Sequence, residues 1–171
     1  MTAPRPRIMV VRGDKLSSRA IEGFGGGWPS HMASMLEDGS FWDARDDEMV
    51  YKGALYPEGV QHRPAGYLQH EFDRWAIFVA PVGSEAVYLP WVASLESQVN
   101  KHYDSLGIWD FAKGCFTGQY ADSNYAPRNP EDSKAWFCNE LATWAAGRHG
   151  LVPWPQPWPV FTETPGASLN L

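Results

Sequence analysis

The segment HMASMLEDGSFWDAR, residues 31–45, constrains the fold of this chain more than any other. Two short runs able to form strands flank Glu37, Asp38, Gly39 and Ser40, and an Asp-Gly pair between such runs is a strong hairpin signal. Further strands are expected from RIMVVR at residues 7–12, GVQHR at 59–63 and FDRWAIFVA at 72–80, the last closed off by Pro81 and Gly83. These runs together imply an antiparallel sheet.

Helical spacing marks the remaining elements. Residues 16–24 suit a brief helix, and the glycines of GFGGGWPS then make a loop that delivers His31. Residues 84–101 carry Val87, Trp91, Leu95 and Val99 at four-residue intervals, with Ser84 as cap and Pro90 as a kink or a late start. A short helix is expected at 103–112 and a polar loop at 120–129. Asn129 and Pro130 resemble a cap and first helical residue, and the apolar period runs on through Phe137, Leu141 and Trp144 to Gly147. One unbroken helix would bury Cys138 in its third turn. The expected arrangement is instead a short turn at 130–134, a break near Trp136, and the main helix starting about Cys138. The alternate prolines of PWPQPWP bar helix and central strand, so residues 151–171 should wrap the surface as extended chain. At 171 residues, a single α+β domain is expected throughout.

Composition narrows the function. With 14 Lys plus Arg against 20 Asp plus Glu the net charge is −6, so affinity for nucleic acid or an anionic membrane surface is not expected. No apolar run has the length of a signal peptide or an integral membrane segment, which points to a cytoplasmic protein. Two cysteines, Cys115 and Cys138, are too few for a disulfide scaffold, which leaves room for one of them to be chemical. Cys115, between Gly114 and Phe116, reads as core, as do most of the nine tryptophans. His62, His70, His102 and His149 show no metal-ligand spacing, so neither a metal nor another cofactor is expected.

A cysteine hydrolase needs a thiolate, a base in hydrogen-bond reach, and a polar group that orients the imidazole. A cysteine at a helix N-terminus is favoured for this work, because the unpaired amides stabilise the thiolate and can receive a developing oxyanion. Cys138, His31 and Asp43 are the candidates for the three parts.

The same residues resemble a known family. SHMASMLEDGSFWDA is similar to the strand pair of NlpC-type papain-like hydrolases, in which a histidine opens one strand and the orienting residue lies on the next. His31 and Asp43 are twelve positions apart, as the resemblance requires, and Asp38-Gly39 matches the family's turn. The cysteine comes late, in WFCNELATWAAGRHGL, which resembles the Phe/Tyr-Cys-Ser-Glu-Leu segment of circularly permuted, YiiX-like members, with Asn139 in place of the usual serine. VVRGDKLSSRAIEGF, HYDSLGI and FTETPGASL extend the likeness over nearly the whole chain. The resemblance implies a permuted papain-like fold, with Cys138 as nucleophile, His31 as base and Asp43 orienting it. Asn139 and Phe137 then support the oxyanion beside Cys138.

It also implies cleavage of amide bonds through an acyl-enzyme, with peptidoglycan stem peptides as the first substrate class. A virion-associated or prophage protein acting on cell wall would fit. Acyl-lipid or ester substrates of the kind used by relatives resembling lecithin retinol acyltransferase are the second class, and a catalytically idle module that binds glycans or a protein is the third reading. Taken alone, each residue has a plainer reading: Cys138 a small buried hydrophobe, His31 a loop histidine, Asp43 a solvated hairpin residue beside Arg45, Asp46 and Asp47. The sequence leaves the oligomeric state open.

Overall fold

RIMVVR forms β1 (Arg7–Arg12), whose four inner residues are buried in alternating directions, as a strand covered on both faces must be. A computed structural model describes residues 3–12, 30–71, 74–104, 135, 136 and 138–151. The elements expected at 16–24, 105–112, 120–134 and 152–171, the glycine loop before Ser30, Cys115 and Phe137 lie outside the described residues.

The hairpin read from residues 31–45 is β2 (His31–Met35) and β3 (Phe41–Arg45). Asp38 builds its turn: the Asp38 carboxylate accepts from the Ser40 amide at 2.9 Å and the Ser40 hydroxyl at 2.6 Å, and Gly39 takes the left-handed backbone (φ 82°). A smaller hairpin follows, β4 (Met49–Tyr51) and β5 (Ala54–Tyr56), reversing through Lys52 and Gly53 at φ 50° and 81°. Two successive positive φ values match the right-handed twist of a tight hairpin, and a lysine seldom adopts one, which is why the turn carries no sequence signal.

β6 (Gly59–Arg63) and β7 (Arg74–Val79) complete a five-stranded sheet of order β6-β3-β2-β1-β7, antiparallel at every neighbouring pair. A short helix, α1 (Tyr67–Glu71), covers one face, where Tyr67 and Leu68 pack on Met9, Val11, Ala33 and Phe41. The fold is mixed α+β, with a small antiparallel sheet and few helices.

The helix expected over 84–101 is shorter and divided. Residues Ser84–Val87 form a single 3-10 turn, α2 runs Tyr88–Glu96, and the chain turns from Ser97 to Asn100. Pro90 explains the late start: it is the third residue of α2, where the missing N–H would have had no helical acceptor. Ser84 makes no cap; Gly83 precedes the turn at φ 99°, and its amide donates to Glu85 Oε2 at 2.8 Å. Val99, placed beyond the helix, is 43% exposed, whereas Tyr88, Trp91 and Leu95 are buried.

Tyr103, expected to open a helix, instead lies in β8 (His102–Tyr103), which pairs in parallel with β9 (Ala135–Trp136). The last described helix is α3 (Cys138–Arg148). Its Ala142 and Ala146 rest on Ile8, Val10 and Met32, while Leu141 and Ala145 join Trp42, Ala44, Val60 and the α2 residues Trp91 and Leu95. Alanines on this stripe let the helix approach the sheet closely. α3 ends in a Schellman motif: the Leu151 amide bonds to Ala146 O at 2.9 Å and the Gly150 amide to Gly147 O at 3.1 Å, with Gly150 at φ 70°.

Candidate active site

Where α3 begins is decided by the chain just before it. β9 is held to β8, the Asp104 amide donates to Trp136 O at 3.0 Å, and the buried Trp136 indole N–H donates to Gln98 Oε1 at 3.0 Å. Trp136 is thereby tied into extended backbone two residues ahead of Cys138, and helix begins at Cys138 itself. The sulfur sits on the first residue of an 11-residue helix, whose opening amides have no acceptor within the helix. Those amides direct positive potential at the sulfur.

His31 opens β2. Its Nε2 lies 3.1 Å from Asp43 Oδ2, and its ring also hydrogen-bonds the Cys138 side chain. With Nε2 turned to Asp43, Nδ1 is the nitrogen left for the sulfur. Cys138 is 4% exposed, and 12% of the His31 side chain remains open.

The sheet explains how these three meet. Strand alternation places His31, Ala33, Asp43 and Arg63 on the α1 face, while the body of α3 covers Met32, Trp42 and Ala44 on the other. Pairing between β2 and β3 is confined to Ser34↔Trp42 and Met35↔Phe41, so the strands part towards His31 and Arg45. There the first residue of α3 reaches the imidazole, and a side-chain bond between His31 and Asp43 spans the ends that the backbone ladder leaves unjoined.

Asp43 is 0% exposed, so it is no solvated hairpin residue. Asp46 and Glu48 are exposed, and Asp47 is engaged by Arg45 through Nε at 2.8 Å and Nη2 at 3.1 Å. Behind Asp43 lies a residue that sequence reading missed. Arg63, fully buried on β6, donates from Nε to Asp43 Oδ1 and from Nη2 to Pro57 O at 3.2 Å. Its place was legible only in register: Arg63 pairs with Phe41 and Asp43 with Gln61, so both side chains share one face, a diagonal step apart.

Charge follows from this packing. Burial disfavours ionisation of both groups, yet their partners prevail. Desolvation works against the His31 imidazolium, but negative charge at Cys138 and the hydrogen bonds to Asp43 and Cys138 raise its pKa from 6.5 to about 9. Desolvation likewise opposes the Asp43 carboxylate, and the His31 bond with the charges of Arg63, His31 and Arg45 still holds its pKa below the ordinary value. The resulting series is Arg63 cation, Asp43 anion, His31 cation and Cys138 sulfur.

Asn139 contributes backbone to the first turn of α3, and its side chain is outside the described set, as is Phe137. The other histidines stand apart: His62 Nε2 is 2.8 Å from Ser40 Oγ with its ring stacked on Trp42, and His149 Nε2 is 2.8 Å from Ser94 Oγ. Among the described residues no cluster of three or more His, Cys, Asp or Glu could hold a metal ion. No described helix is long and apolar enough to cross a membrane.

No protein-family model and no curated protein matches the chain.

Proposed function

We propose that the protein is a cysteine-dependent acyl hydrolase, with the permuted papain-like arrangement that its sequence resembles. The observation that carries this reading is the position of His31 between Asp43 and Cys138, with Cys138 opening a helix. A merely buried cysteine needs no imidazole beside it, and a merely structural histidine needs no fully buried carboxylate behind it.

In the resting site the imidazolium donates from Nε2 to Asp43 and from Nδ1 to the Cys138 thiolate. The thiolate attacks a substrate carbonyl, and the oxyanion is received by the N–H of Cys138 and a neighbouring donor, for which Phe137 and Asn139 are the candidates. His31 passes its proton to the leaving amine or alcohol as the carbonyl reforms, giving a thioester on Cys138. Neutral His31 then takes a proton from water, hydroxide attacks the thioester, and the acid leaves as the thiolate and imidazolium are restored. Asp43 keeps the ring oriented and its charge balanced. Metal and other cofactors have no part in this sequence of steps.

The resemblance directs the substrate first to amide bonds of peptidoglycan stem peptides. The test is hydrolysis of muropeptides, acyl lipids and simple esters side by side, with Cys138→Ala as control. Cleavage of muropeptides that the variant lacks supports the reading; acyl-lipid cleavage alone would move the substrate class and keep the mechanism. Equal turnover by the variant would remove the mechanism.

A further inference from the structure

The residue that fixes the geometry of this site lies one layer behind it. Asp43 presents two oxygens: Oδ2 faces His31, and Oδ1 receives Nε of Arg63. A carboxylate held at one oxygen only can swing about its last bond, and His31 would then lose the partner that orients it. Arg63 occupies the second oxygen. It cannot swing either, because Nη2 is bonded to Pro57 O at 3.2 Å and its guanidinium lies against the Tyr67 ring at 5.3 Å. Both Arg63 and Asp43 are fully buried.

Folding alone gives a poor reason for this pair. Burying two charges seldom stabilises a protein more than apolar residues of the same volume would, and Arg63 Nη1 is buried with no hydrogen-bond partner, an added cost. A charge kept under such terms suits a site. The groups facing Asp43 are His31 on β2, Arg63 on β6 and Arg45 on its own strand, with the Tyr67 ring of α1 also against Arg45 at 5.5 Å. Of the two arginines, Arg45 is committed to Asp47, so the fork available to Asp43 is that of Arg63.

We propose that Arg63 is a positioning residue: it locks the Asp43 carboxylate so that Oδ2 stays on His31 and the imidazole stays aimed at Cys138. It touches no reacting atom and acts through Asp43. The proposal deepens the hydrolase reading, but its test uses no substrate, so failure of one is distinguishable from failure of the other.

The test uses the full chain and two variants, Arg63→Lys and Arg63→Gln, measured below their melting transitions. Two readouts are taken near neutral pH: the rate at which iodoacetamide labels Cys138, and the low-field proton resonance of the His31 Nε2–H bonded to Asp43. Lysine keeps the charge but cannot bond Asp43 and Pro57 O together in the plane of a fork. Glutamine loses the charge as well. The expected result is a weakened resonance in both variants, with labelling slowed roughly threefold in Arg63→Lys and at least about tenfold in Arg63→Gln. A folded variant that keeps its resonance or its labelling rate within about twofold of the parent overturns the proposal. If Arg63→Gln does not fold, Arg63→Lys decides by the same criterion.

Discussion

His31 and Asp43 meet side chain to side chain, Nε2 to Oδ2 at 3.1 Å, at the end of a hairpin whose backbone ladder has already stopped at Ser34↔Trp42. The parting of β2 and β3 gives the first residue of α3 its access to the imidazole. On the proposed reading, reactivity at Cys138 would depend on the hairpin as much as on the helix.

Labelling should expose this first. Iodoacetamide near neutral pH is expected to modify Cys138 ahead of Cys115, although Cys138 is only 4% exposed, because the His31 ring stands beside its sulfur as a base within reach of the thiol proton. In His31→Ala the rate should fall roughly tenfold or more. Peptide mapping after timed quenching reads both sites, and faster modification of Cys115 would contradict the assignment.

The imidazole itself should titrate late. In the intact protein the His31 ring is expected to lose its proton near pH 9, and in Cys138→Ala well below that, since burial lowers its pKa and the sulfur's charge no longer opposes burial. Because the folded value lies above the ordinary 6.5, the folded chain binds the extra proton between the two values. This contribution to stability is thus full below pH 6.5 and lost as pH rises through about 9. Asp43 works in the other direction, contributing above its ordinary 3.8 and losing that contribution as pH falls through its depressed value. Ring-proton NMR across pH, paired with urea unfolding at each pH, checks both signs.

Asp43→Asn should harm folding as well as function. Turnover should fall, since the amide can support the wrong imidazole tautomer. The structure adds Arg63, a fully buried cation that a neutral amide would leave without its counter-charge, at a cost of about 3 to 5 kcal/mol. Urea unfolding measures the loss. A variant as stable as the parent would mean that the Arg63 charge is balanced elsewhere.

The hairpin was legible because Asp38-Gly39 and the alternating apolar residues act locally, and the helix observed from Cys138 agrees with the break expected near Trp136. Other features depended on contacts distant in sequence. Arg63 became Asp43's partner only through the β3–β6 register, Tyr103 was drawn into β8 by residues more than thirty positions on, and the Lys52-Gly53 turn uses a residue with little preference for its backbone. The period of four in residues 84–101 overstated its helix: of the kink and the late start that Pro90 allows, the structure takes the late start, with the helix beginning two residues before it.

Trp136→Phe should loosen the approach to Cys138. The change removes the indole N–H and leaves the buried Gln98 Oε1 without that donor, at about 1 to 3 kcal/mol. Thermal unfolding should shift down, and Cys138 labelling should slow as the start of α3 loses its anchor. Unchanged labelling would show that β8 and β9 alone fix the helix start.

The most direct measurement is rapid-quench peptide mass spectrometry of the protein mixed with an activated ester such as p-nitrophenyl acetate. A nucleophile served by His31 should carry the acyl group on Cys138 within the first turnover, lose it on longer incubation, and remain unacylated in the same interval when His31 is replaced by alanine. Acyl groups found on Cys115 or on lysines, with Cys138 bare, would contradict the proposed chemistry.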